Sequence, residues 1–120
     1  MALKRALRLR KSKDFQRVRQ QGRSMASRLL ILTFAPNDLA TLRIGFVVSR
    51  RVSKRAVRRN YVKRLLSEAL RSFLVDIPVG WDLVISAKAS SVGVKLVDLV
   101  EDLRILLRRA RLLNLSEMKS

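Results

Sequence analysis

The chain has 120 residues, 48% of them hydrophobic, which is the length of one small domain with material for a modest core. It holds no cysteine and no histidine, so a disulfide framework, a thiol nucleophile, a Cys-based zinc site and the commonest general base are all excluded. Its 27 Lys+Arg face 9 Asp+Glu, and a net charge of +18 repels itself unless a polyanion neutralises it.

In chain order, Lys13–Gln21 predicts a short helix: Phe15 and Val18, three residues apart, form a small apolar face, and Gly22 is placed to end it in a left-handed conformation. Arg23–Ser27 permits an edge strand. Leu29–Ala35 predicts a buried strand, Pro36-Asn37-Asp38 a turn, and Thr41–Ser49 a strand in which Leu42, Ile44, Phe46 and Val48 alternate with Arg43, Gly45, Val47 and Ser49. With the turn between them, these two strands predict a hairpin. Ser53 is the expected cap of a long helix running to about Val75, before Pro78 and Gly80 break the pattern. Its wheel gathers Val62, Leu65, Leu66, Ala69 and Phe73 on one side and Asn60, Lys63, Arg64, Ser67 and Arg71 opposite. Trp81–Ala87 predicts a further strand, and Val94–Arg111 a helix whose core face is Leu96, Leu99, Val100, Leu103, Leu106, Leu107 and Ala110. The sum is an α+β sandwich in one domain over residues 1–120: a small mixed sheet with helices mainly on one face, and loose chain ends.

Charge is unevenly placed. Residues 1–71 carry 20 basic and 3 acidic side chains, whereas residues 72–120 carry 7 and 6, so a polyanionic partner should meet the first segment. The densest stretch, Arg50–Arg64, lies in an acid-free span between Asp38 and Glu68, which removes ordinary salt-bridge lacing as its explanation. Arginine forks hold phosphate oxygens, and each neutralised phosphate releases counterions, so nucleic acid is the leading partner. Six cations at Arg50, Arg51, Lys54, Arg55, Arg58 and Arg59 crowd the start of the helix, where the dipole disfavours them. Asp98, Glu101 and Asp102 form the best carboxylate cluster, but with Arg104 and Arg108 downstream they predict the solvated, ion-paired face of the last helix. No Gly-rich phosphate loop, secretion signal or apolar membrane span is evident, so a cytoplasmic protein with no membrane association, no small-molecule substrate and no catalysis by its own side chains is expected. From composition alone Phe15 is either core or a stacking aromatic.

Four segments in order resemble the protein component family of bacterial ribonuclease P: Leu7–Phe15 followed by Gly22, Leu42–Arg51, Ala56–Leu65 and Asp82–Lys88. The third is the most specific. The family's basic helix carries Arg-Asn-Arg, a spacer and Lys-Arg, and Arg59, Asn60, Lys63 and Arg64 stand in those places, with Tyr61 departing at the third. The resemblance implies a two-layer α-β-β-β-α-β-α sandwich with a left-handed crossover, against the usual hand. It implies a protein subunit that docks on a catalytic RNA and holds the 5′ leader of precursor tRNA between its first helix and the sheet. That RNA subunit, carrying Mg2+, would remove the leader to give the mature tRNA 5′ end. By position, Phe15, Arg19, Thr33 and Arg43 are implied to meet the leader, and Arg51, Arg55, Arg58, Arg59, Asn60, Lys63 and Arg64 the RNA. A general structured-RNA-binding or ribosome-associated protein, a DNA-binding module and an anionic-membrane binder stand as the alternatives.

Overall fold

The computed structural model describes residues 7–113, and within them the apolar pattern sorts into α1 (Ser12–Gln21), β1 (Arg23–Ala26), β2 (Leu30–Pro36), β3 (Arg43–Val47), α2 (Ala56–Arg71), β4 (Trp81–Ala87) and α3 (Leu96–Arg109). The chain ends expected to be loose lie in residues 1–6 and 114–120, outside the described residues. The order is the implied α-β-β-β-α-β-α.

The four strands form one sheet in the order β1-β2-β4-β3, with β1/β2 and β2/β4 antiparallel and β3/β4 parallel. This corrects the hairpin expected from β2 and β3: the hairpin is β1–β2, and β4 inserts between the other two. Burial decides the placement. β4 presents Asp82, Leu83, Val84 and Ile85, all buried, and a strand apolar on both faces belongs at the sheet centre. The connection from β2 to β3 crosses the start of β4, clamped there by Asn37 N–H to the Gly80 carbonyl and Gly80 N–H to the Thr41 carbonyl, both 2.9 Å. α2 carries the chain from β3 to its parallel neighbour β4 in the crossover unit.

Alternation along each strand divides the sheet into two faces. Leu30, Leu32, Phe34, Ile44, Leu83 and Ile85 join Val62, Leu66, Leu70, Leu99, Leu103 and Leu106 of α2 and α3 in the main core. On the opposite face Ala35 and Val84 join Leu9 and Val18 under α1, with Phe15 and Val47 at the margin. Two helices therefore cover one face, and α1 lies across part of the other.

Several local expectations change. Gly22 is extended (φ −86°, ψ 172°), so it does not end α1 by a left-handed turn; a Cβ there would stand 2.4 Å from the Val18 carbonyl oxygen and 2.6 Å from that of Phe34. Close backbone approach is what excludes a side chain. Arg55, not Ser53, occupies the cap position of α2, while the Ser53 hydroxyl accepts from the Arg55 N–H at 3.2 Å. The helix ends at Arg71, and a 3₁₀ turn at Leu74–Asp76 takes up the rest of the expected span. Ser67, expected on the outer face, is buried because α3 packs alongside α2 and widens its covered arc. Conversely Leu96, expected in the core, is 39% exposed at the first turn of α3, before that helix meets α2.

Asp102 is the other correction. It is buried rather than solvated, accepting from the Ser27 hydroxyl and, at 3.3 Å, from the Leu29 N–H, and so ties α3 to the β1–β2 turn. Glu101 does form the expected surface pair with Arg104.

Candidate nucleic-acid interface

The basic stretch becomes a continuous surface because only one side of α2 can pack. Arg51, Arg55, Arg58, Asn60, Lys63 and Arg64 are all exposed, and among the described residues none of these cations pairs with a carboxylate. The first turn of α2 contains no acid, and Arg55 makes no side-chain cap bond. Positive charge at the positive end of the helix dipole is thus uncompensated within the described chain.

Arg59 differs from its neighbours. Half-buried, its Nη1 donates to the carbonyls of Ser53 at 3.1 Å and Lys54 at 3.0 Å, folding the 50–55 loop back over the helix. The result is a shallow depression of about 470 Å³ lined by Arg50, Arg51, Lys54 and Arg59, its four cations converging from loop and helix. Such convergence suits a phosphate group, which each guanidinium can hold through two donors. Arg50 and Lys54 therefore join the residues singled out for RNA contact, and their place in the dense run was the signal for them.

The α1 face is built differently. Phe15 lies directly on Gly45 of β3, where a Cβ would stand 2.4 Å from its Cζ and 2.6 Å from its Cε1. The ring is half-buried, and Arg19 one turn on is exposed. Thr33 faces the same side but is only 9% exposed, and its Oγ1 lies 2.8 Å from the Ser24 Oγ in a cross-strand bond. It forms floor rather than a free contact.

Arg43 faces this side as expected, but its guanidinium is engaged. Nε donates to Asp82 Oδ1 at 2.9 Å and Nη2 to Asp82 Oδ2 at 2.7 Å, with Asp14 at 3.6 Å from Nη1. The bond to Asp82 holds the Arg43 pKa above the ordinary guanidinium value despite an opposing cost of burial. Arg17 of α1 donates to the same Asp82 carboxylate and to the Pro36 carbonyl, and Asn37 Nδ2 completes the set at 2.9 Å from Oδ1. Asp82, wholly buried, thus collects α1, β3 and the β2–β3 loop onto β4. Reading the sequence missed Asp82 and Arg17. The available signal was a carboxylate opening the apolar run Leu83-Val84-Ile85 in so basic a chain.

These two surfaces lie on opposite sides of the sheet: the α1 face with Phe15, and the outer side of α2. Comparison with known proteins places the arrangement. The profile of the Ribonuclease P family matches residues 3–111. The chain is similar to the ribonuclease P protein component of Chloroflexus aurantiacus, 46% identical over 112 residues covering 92% of this chain and 82% of that one. Among solved structures it superposes on the Staphylococcus aureus RNase P protein with a TM-score of 0.82 at 27% identity, covering 92% of this chain and 100% of that one. On the Thermotoga maritima RNase P protein the TM-score is 0.77 at 31% identity, with 85% and 96% covered.

Proposed function

The chain belongs to the bacterial ribonuclease P protein family, and from that premise we propose which of its surfaces serve which RNA. It is the protein subunit of the endoribonuclease that matures tRNA 5′ ends, and no constellation of its own side chains is needed for the cleavage. The α2 surface is assigned to the catalytic RNA subunit, with Arg51, Arg55, Arg58, Asn60, Lys63 and Arg64 as direct contacts and Arg59 shaping the loop beside them. The α1 face is assigned to the 5′ leader of precursor tRNA, with half-buried Phe15 offering its ring to an unstacked base and Arg19 charge to the backbone. Arg43 and Arg17, held by Asp82, brace this face, and Thr33 shapes its floor. Asp82 and Asp14 offset these two cations, so the charge this face offers the leader is that of exposed Arg19.

The magnesium implied by the family belongs, in this reading, to the RNA subunit. Among the described residues no three of His, Cys, Asp and Glu come together to hold a metal ion, and the Asp82 oxygens are taken by Arg17, Arg43 and Asn37. What the protein supplies is neutralised phosphate repulsion between two RNAs and a bound leader, which raises substrate affinity.

The observation that carries this reading is the acid-free, exposed cationic side of α2 on the family's fold. Cleavage of a 5′-extended tRNA precursor by a bacterial ribonuclease P RNA at low magnesium, with and without the chain, tests it. Strong stimulation at the mature 5′ end is expected. Tight RNA binding with no stimulation by any compatible RNA subunit would point to a general RNA-binding protein.

A further inference from the structure

Three large apolar side chains stand in solvent in the middle of the cationic surface. Val57 is 81% exposed, Tyr61 58% and Val92 36%. Val57 and Tyr61 are four residues apart on α2 and so share one stripe of the helix. Val92 reaches them from the segment before α3, and buried Val62 lies beneath. Together they border a notch of about 310 Å³ with Arg58 and Gly93 at its rim. Gly93 has φ +78° and open space where a Cβ would stand, so that flank is unobstructed.

None of the three serves the core, since the packing side of α2 is Val62, Leu66, Ala69 and Leu70. The family resemblance does not account for the ring either, because Tyr61 stands where the basic helix usually has an arginine.

We propose that this notch receives one unstacked nucleobase of the catalytic RNA subunit, stacked on the Tyr61 ring between Val57 and Val92, with Arg58 on the adjoining phosphate. The size fits one flat heterocycle: the volume is at the lower end of small-ligand pockets, roughly 300 Å³. The charge selects the class of occupant. A second copy of a chain carrying +18 is repelled from a surface this cationic, whereas a base delivered on a phosphate backbone meets apolar lining and cationic rim together. A membrane would need a long apolar stripe, and beyond Ala56 in the first turn the remaining apolar residues of α2 are buried or half-buried. The RNA subunit is the source rather than the leader, because α2 lies across the sheet from Phe15. The proposal rests on the ribonuclease P reading and adds a base-recognition site to its phosphate contacts.

The test titrates a transcribed bacterial ribonuclease P RNA with the full chain as wild type, Tyr61→Ala and Tyr61→Phe, each at several salt concentrations. Tyr61→Ala should weaken binding on the order of tenfold, and Tyr61→Phe should stay within about twofold of wild type, as loss and retention of one stacked base require. The slope of log affinity against log salt should be the same for all three, because no phosphate contact is removed. Wild-type affinity in Tyr61→Ala, or an equal loss in Tyr61→Phe, would overturn the stacking site. A loss confined to leader-bearing precursor tRNA, or to vesicles of anionic phospholipid, would overturn the choice of occupant. Failure of the wild-type chain itself to bind the RNA would instead overturn the reading on which the proposal rests.

Discussion

Because Phe15 rests on the bare backbone of Gly45, one methyl group at that position controls where the ring sits. In Gly45→Ala the ring must lift from the sheet. Its far end is free to swing, so the stability cost measured by urea denaturation should stay within about 1 kcal/mol. The functional effect should be larger: the affinity gap between precursors with and without a leader should narrow, as it should in Phe15→Ala. An unchanged gap in both variants would return Phe15 to a purely structural role. Asp82 has the opposite profile. Removing it in Asp82→Ala leaves Arg17 and Arg43 facing each other over a buried hole, and breaking such a pair costs about 3 kcal/mol or more. Chemical denaturation reads this directly, and a loss below 1 kcal/mol would show that the two arginines simply turn to solvent. Arg43 binds its proton more tightly in the fold than in the unfolded chain. The stability that this raised pKa contributes is lost as pH rises through the guanidinium range. Neither Gly45 nor Asp82 declares its role by residue type; each acquires it from a partner more than 20 positions away.

At the scale of the element, the start of α2 gives up stability, having neither a side-chain cap nor an acid in its first turn, and the proposed RNA contact supplies the reason. Arg55 occupies the cap position with extended backbone (φ −84°, ψ 121°), a geometry in which Asp, Asn or Ser would accept a bond from the first turn. Arg55→Asp should therefore stabilise the free protein by about 1 kcal/mol while weakening RNA binding, because one cation becomes an anion at the contact surface. Calorimetry and an RNA titration check the two halves separately; a variant that is less stable, or that binds as well as wild type, would contradict this account. The wheel of α2 was largely legible, since 3.6-residue periodicity follows from local geometry, and it correctly set Val62, Leu66, Ala69 and Phe73 inward. It failed at Ser67, where a neighbouring helix widened the buried arc. The strands behaved likewise. Alternation in Leu42–Val48 identified both faces of β3, yet could not say that β4 rather than β2 lies beside it, because alternation specifies a face and not a partner.

For the molecule as a whole, a net charge of +18 on a domain with a Cα radius of gyration of 13.4 Å makes self-repulsion a standing cost. The thermal midpoint of the free protein should rise as salt increases from low to moderate ionic strength, and RNA affinity should fall over the same range. A midpoint that is flat with salt would mean that the exposed cations are too far apart to repel. Composition alone determined much here: a strongly basic chain without cysteine or histidine calls for a polyanionic partner, and the acid-free run at Arg50–Arg64 located the exposed cationic side of α2. Periodicity determined the helices, the strands and their inward residues, because those depend on neighbours a few positions away. Only the tertiary structure decided that β4 divides β2 from β3 and that Asp82 gathers Arg17 and Arg43. It alone brought Val92 to Val57 and Tyr61. Each of these joins residues distant in sequence, and such pairings are selected by burial and charge balance over the whole fold, which no local pattern encodes.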